Sequence, residues 1–388
     1  MINHKVVISI INASLSGVPA VLDKDFSIEE YIRFARTQQI EALLITGLRR
    51  SGVVLSQEIR KVLYGEAMIS TRQLYALSRL CDRFTEHGID HMPIKGSVLK
   101  SIYPSNEMRS MGDIDILVRM DQYARIRPLM LEEGYEEDHE SDHEYVWTGK
   151  GVHVELHKLF FQPSNKDYYD YFGECWQFAR PTDVPYRFEM SPEDTFIYLF
   201  THYAKHYRNT GVGIRQALDL CVYRRAYPGI DEAYVVNKMQ ILQMERFYHN
   251  TMHMLDAWFG EGEHTEASQL IENRLFDSGV FGTQENNLQS AMLRQVKRHG
   301  TVKKAKLITW LRWIFPTYRS MCERFPILDR FPVLTPFLWI VRCIDVLLHK
   351  RYRFNDWAQE TGATSESSIK AYHDMLRKSG LDFNFKGE

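Results

Sequence analysis

Paired cysteines are missing from this 388-residue chain. Its five, Cys81, Cys175, Cys221, Cys322 and Cys343, are scattered and form no CxxC pair. That excludes a disulfide framework and a cysteine-rich zinc site, and it suits reduced thiols in a cytoplasmic protein. An excess of either charge is missing too: 48 Lys and Arg stand against 50 Asp and Glu, for a net charge of −2. This balance argues against a general binder of long nucleic acid. No run approaches the roughly 20 apolar residues of a membrane span. The short apolar stretch MINHKVVISIINASLSG, with its lone Lys5, makes a poor signal peptide and reads as a first helix or strand. There is no internal repeat and no low-complexity segment. Aromatic residues are abundant, with 21 Tyr and 21 Phe. The chain is longer than one compact core usually organises, so two domains, or one with large appendages, are expected.

Residues 27–50 read as helical, with Ser27 as N-cap and Glu29 and Glu30 in the first turn. Residues 66–87 place Leu74, Leu77, Cys81 and Phe84 on one helix face, closed by Gly88. A short strand follows over 89–94, and Lys95-Gly96-Ser97 turns the chain into the helix SVLKSIY. In MGDIDILVRMD, Ile114, Ile116 and Val118 alternate with Asp113, Asp115 and Leu117. The period of two predicts a strand with one apolar face and both aspartates on the other. A helix is expected over 121–133 despite Pro128, ending at Gly134. EYVWTGKGVHVELHKLF reads as a hairpin turning at Gly149-Lys150-Gly151, with His153, Glu155 and His157 on one face of its second arm. Beyond about residue 180 the pattern is helical, opened by Ser191-Pro192-Glu193-Asp194, with a loop-like stretch near 260–285. The organisation expected is a helical segment over 1–60, a catalytic core over 61–180, a helical domain over 181–300, and an aromatic-rich helical region with a polar tail over 301–388.

The elements with chemical use fall in a definite order. Two carboxylates one residue apart on a strand, joined by a third from a neighbouring strand, form a set of hard oxygen ligands suited to Mg²⁺ or Mn²⁺. The Gly-Ser turn before them offers backbone N–H groups to an anionic triphosphate. IKGS, then DID, then VEL resembles the signature of the DNA polymerase β-type nucleotidyltransferase superfamily. The longer run PIKGSVLKSIYPSNEMRSMGDIDILV is similar to a bacterial branch of it known only as uncharacterised nucleotidyltransferases. The features of that branch are Lys95-Gly96, Tyr103-Pro104 and Arg109 in this chain, and the resemblance extends over roughly residues 30–225.

The resemblance implies an α+β fold, a small mixed sheet with flanking helices and an all-α C-terminal domain. It implies Asp113, Asp115 and Glu155 as metal ligands and Gly96 and Ser97 at the triphosphate. The activity implied is transfer of a nucleoside monophosphate from an NTP to an unidentified acceptor, with pyrophosphate released. The gap between Gly96 and Asp113 is longer than in many such enzymes and leaves room for an extra loop holding Arg109. A catalytically silent nucleotide-binding or regulatory protein of the same fold is the alternative, and a membrane-peripheral scaffold a third reading.

Several residues keep two readings. Lys95 and Arg109 either bind phosphates or neutralise the carboxylates when no nucleotide is bound. His157 either orients a ligand on the acceptor side or packs. His202 and His206, at i and i+4, either line a cleft between domains or pack. Arg215 and Asp219, at the same spacing, read as an intrahelical ion pair. A zinc site from His139, His143, His153 and His157 is disfavoured, because the first two fall in a loop. The Trp-, Phe- and Pro-rich segment 307–348 either lies on a membrane surface or packs on the helical domain, and packing is favoured.

Overall fold

The computed structural model describes residues 2–23, 25–280, 282–349 and 365–381. They fall into two compact units. One holds the described residues of Met1–Lys205, Val212–Val280 and Ser379–Glu388. The other holds those of His206–Gly211 and Phe281–Lys378.

The first unit opens with four helices, α1 (His4–Ser16), α2 (Ile28–Gln38), α3 (Glu41–Arg50) and α4 (Gln57–Glu86). Ser27 caps α2 as expected, accepting from the Glu30 N–H. The single helix expected over 27–50 is instead two, because Gln39 adopts a left-handed conformation (φ 52°) and stops α2. α4 begins at Gln57 rather than near 66, capped by Ser56.

Five strands then form one mixed sheet: β1 (His91–Pro93), β2 (Asp113–Val118), β3 (Glu136–Glu140), β4 (Glu144–Gly149) and β5 (Val152–His157). Their order is β1-β2-β5-β4-β3. β2 runs parallel to β5 and antiparallel to β1, and the other neighbours pair antiparallel. α5 (Gly96–Leu99) lies between β1 and β2, and α6 (Tyr123–Glu132) follows β2 with Pro128 inside it. The expected helix SVLKSIY is thus only four α-helical residues, continued by a 3₁₀ turn over Lys100–Ile102. The β4–β5 hairpin turns on Lys150 and Gly151, whose φ values of 52° and 72° are those of a type I′ turn.

Alternation decides which face of the sheet is buried. Ile114, Ile116 and Val118 of β2 and Val152, Val154 and Leu156 of β5 pack under Leu77, Leu80 and Phe84 of α4 and Ile126 and Met130 of α6. Each such side chain contributes about 1.5–3 kcal/mol by leaving water, and together they fix the register. The parallel register then sets Asp113 opposite His153, Asp115 opposite Glu155 and Leu117 opposite His157 on the other face. One-residue slippage would turn the carboxylates into the core.

The remainder is helical: α7 (Lys166–Phe172), a two-stranded hairpin of β6 (Arg180–Pro181) and β7 (Phe188–Glu189), α8 (Pro192–Asn209), α9 (Ile214–Ala226), α10 (Glu232–Ile241), α11 (Glu245–Phe259) and α12 (Glu266–Ser278). α12 occupies the stretch expected to be loop-like. Thr265 and Ser268 form its capping box, and Ile271, Leu275 and Phe276 bury its inner face. The second unit contains α13 (Gln284–His299), α14 (Val302–Ile314), α15 (Tyr318–Arg324), α16 (Ile327–Arg330), α17 (Thr335–His349) and α18 (Glu366–Ser379). The polar tail over 350–364 and 382–388 lies outside the described residues. No described helix is long and apolar enough to cross a membrane.

Candidate active site

The polar face of β2 and β5 brings Asp115, Glu155 and His157 together, each offering a ligand atom within 4.8 Å of the others. Among the described residues this is the one such group of three or more His, Cys, Asp or Glu. Two carboxylates and an imidazole form a donor set that fits Mn²⁺ or Mg²⁺, with the nitrogen favouring the softer ion. Asp113 shares the face and is half-buried one step along β2. The four histidines weighed for zinc do not converge: His139 and His153 are exposed, while the rings of His143 and His157 are 6.2 Å apart and tilted by 54°.

Lys95 occupies the centre of the cluster. Its Nζ donates to Asp115 Oδ1 at 2.8 Å and lies 3.2 Å from His157 Nε2 and 3.9 Å from Glu155 Oε2. His157 Nε2 is 2.9 Å from the same Asp115 oxygen and 3.3 Å from Glu155 Oε2. The second reading of Lys95 therefore describes this state: it neutralises the carboxylates. Its backbone is held at φ 48°, ψ −122°, a region a non-glycine residue adopts only when its surroundings enforce it.

These contacts set the charges. Burial alone would raise the Asp115 carboxyl, but the Lys95 ammonium and the bond from His157 outweigh it and hold the group well below the usual carboxylate range. Burial opposes the charge on Lys95, and Asp115 more than reverses that, so its pKa is raised. Burial and Lys95 both disfavour a charged His157, yet its bonds to Asp115 and Glu155 leave its pKa raised. Asp113 moves the other way, raised by burial and then by repulsion from Glu155 and Asp115. The cluster thus holds one aspartate pushed up by burial and its acidic neighbours and one held down by Lys95 and His157.

The Gly-Ser turn is tied to the strand that follows it. Ser97 Oγ accepts the Asp115 backbone N–H at 3.0 Å and so ties the turn to β2. The Ser97 N–H donates to Ile94 O and the Val98 N–H to Lys95 O, so these amides are already engaged. At Gly96 a Cβ would lie 2.9 Å from Met111 Cγ and Sδ and 3.1 Å from Arg109 Nη1. Glycine is needed there for the close approach of the 109–111 loop.

Arg109 is committed elsewhere than the sheet face. Its guanidinium pairs bidentately with Asp219, at 2.9 and 3.2 Å, and Tyr103 donates to the same carboxylate at 2.8 Å. The expected Arg215–Asp219 ion pair is absent: Arg215 donates to Gln39 and to Ser110 O instead. A buried partner 110 residues away outbids one on the same helix, because the arginine planar fork meets both carboxylate oxygens. His202 is half-buried, its ring 6.3 Å from Tyr198, and His206 is half-buried further along α8. The structure adds residues that the sequence did not single out. Glu144 Oε2 sits 3.6 Å from His157 Nδ1, beyond hydrogen-bond reach, and 3.2 Å from His143 Nε2. Tyr198 is buried close enough to Lys95 and Asp115 to be influenced by both. The alternation of β4 places Glu144 on the polar face, which was the available sequence signal for it.

The fold is α+β, with a small mixed sheet that gathers acidic groups beside a Gly-Ser turn. The profile of the uncharacterised nucleotidyltransferase family matches residues 24–260, well over half of the chain. The protein belongs to that family, and its membership supports transferase activity of the nucleotidyl-transfer kind. No curated protein and no solved structure matches the chain.

Proposed function

We propose that this protein is a metal-dependent nucleotidyltransferase of the polymerase β type that moves a nucleoside monophosphate from an NTP to an acceptor hydroxyl. The observation carrying this reading is the convergence of Asp115, Glu155 and His157 within 4.8 Å, in a chain of the nucleotidyltransferase family. Asp115 and Glu155, with Asp113 and His157 beside them, would hold Mg²⁺ or Mn²⁺. A bound cation of this kind supplies charge stabilisation for the leaving pyrophosphate and acidifies the attacking hydroxyl.

The residues of the chain have the following parts. The acceptor oxygen bonds to the α-phosphorus, the bond from that phosphorus to the bridging oxygen breaks, and pyrophosphate departs with its electron pair. The acceptor proton passes to Glu155, the more accessible of the two carboxylates that converge. With a cation held by Asp115 and Glu155, the Lys95 ammonium would pair with the triphosphate instead of with Asp115. Ser97 and Gly96 keep the turn against β2, and Arg109 supports that turn from behind through Asp219.

The test is pyrophosphate release from each of the four NTPs with Mg²⁺ or Mn²⁺ and a panel of hydroxyl-bearing acceptors. Release that requires metal and disappears in Asp115→Asn is expected. Metal-independent turnover, or full turnover by Asp115→Asn, contradicts the reading.

A further inference from the structure

Two helices of the second unit carry exposed apolar stripes that nothing in the proposed reaction uses. On α17, Phe337, Ile340, Val341 and Ile344 recur at i, i+3, i+4 and i+7, so they form one stripe. They are 66%, 60%, 49% and 51% exposed. On α14, Leu307 and Leu311, one turn apart, are 60% and 45% exposed. Exposed apolar side chains scattered singly are ordinary, but stripes on two helices of one unit mark an interaction surface.

Charge identifies the partner. Residues 302–349 carry eight Lys and Arg against three Asp and Glu, net +5, in a chain whose total is −2. Lys303, Lys304, Arg312 and Arg330 are exposed on the elements that carry, or lie between, the two stripes. An apolar stripe beside basic side chains fits the boundary between acyl chains and anionic headgroups. At 15 residues, α17 is about 22 Å long, short of the roughly 30 Å hydrocarbon core, so it would lie in the interface and not cross. A protein partner of matching chemistry would have to be both apolar and acidic over the same area; an anionic bilayer has both properties everywhere.

We propose that α14 and α17 dock this protein on the surface of an anionic membrane. The experiment is flotation of the full chain with vesicles of phosphatidylcholine alone and of phosphatidylcholine mixed with phosphatidylglycerol, at low and high salt. The wild type should float with the mixed vesicles only, and salt should weaken the binding. Phe337→Glu with Ile340→Glu should weaken partitioning about tenfold or more, and Lys303→Gln with Lys304→Gln should weaken it by less. Both variants alter exposed residues, so their thermal unfolding and their metal–nucleotide binding should match the wild type. Failure to float with either vesicle, or flotation unchanged by the two glutamates, overturns the proposal. A self-association in sedimentation that the glutamates abolish, without flotation, also overturns it and assigns the stripe to a second copy.

Discussion

Replacing Lys95 by methionine keeps the length of the side chain and removes its charge from the acidic cluster. The ammonium is 2.8 Å from Asp115 Oδ1. At an effective dielectric constant of about 20, that separation corresponds to a gross attraction of about 6 kcal/mol. Removing one partner of a buried pair typically costs about 3–5 kcal/mol, because the other charge is left uncompensated. Asp115, Glu155 and the nearby Asp113 would then face one another with only His157 as a counter-charge. The variant should melt roughly 5–8 °C below the wild type in EDTA. A divalent cation can take the place of the ammonium, so Mn²⁺ should restore most of the loss, and Mn²⁺ should bind the variant more tightly than the wild type when no nucleotide is present. The assay is thermal unfolding of both proteins across a Mn²⁺ titration. Equal melting in EDTA, or a variant whose melting ignores Mn²⁺, would refute the picture of Lys95 as the resting counter-cation.

Other consequences follow from the same contacts. Asp219→Asn leaves the buried Arg109 without its charge partner and should lower unfolding stability by about 3–5 kcal/mol, with much of it recovered by Arg109→Met in the Asp219→Leu background; a loss under about 1 kcal/mol in denaturant titration would contradict this. Gly96→Ala puts a methyl 2.9 Å from Met111 and should cost about 1–3 kcal/mol, relieved in part by Met111→Ala. Lys100 is buried, and burial followed by the neighbouring Arg109 pushes its ammonium down to about 8. Its folded pKa lies below the unfolded one, so the penalty for its charge is complete below pH 8 and fades as pH rises toward 10.5. The wild type should therefore gain on Lys100→Met by about 3 kcal/mol over that interval, and parallel stability profiles for the two proteins would contradict it.

The parts of this structure legible in the sequence are those fixed by local periodicity. The alternation in DIDILV and VHVELH gives two strands and their polar faces, because the apolar face of each is completely buried and tolerates no other phase. GKG turns the hairpin because two positive φ values are needed there. What was not legible depends on distance or on exposure. β3 has the sequence EEDHE, four acidic residues in five, and no propensity argument finds it. It is an exposed edge strand held by its pairing with β4, so tertiary context overrides its composition. α12 hid behind the polar, glycine-bearing stretch GEGEHTEAS, although its capping box was present. The breaks at Gln39 and Gln243 carry no breaker residue; each is a glutamine in a left-handed conformation. The pairing of Arg109 with Asp219, and the seating of Lys95 on Asp115, are long-range contacts that no short motif encodes. His157 was placed on the right face beside Glu155, but its closeness to Asp115 follows only from the parallel register of β2 and β5.

The central claim is that the acidic face of β2 and β5 holds a metal-bound nucleotide. Calorimetric titration of ATP, GTP, CTP and UTP with Mg²⁺ tests it most directly, on the wild type and on Asp113→Asn with Asp115→Asn. Metal-dependent binding of at least one nucleotide, lost or much weakened in the double variant, is the predicted result. Equal binding by both proteins, or no binding of any nucleotide by folded wild type, would contradict it.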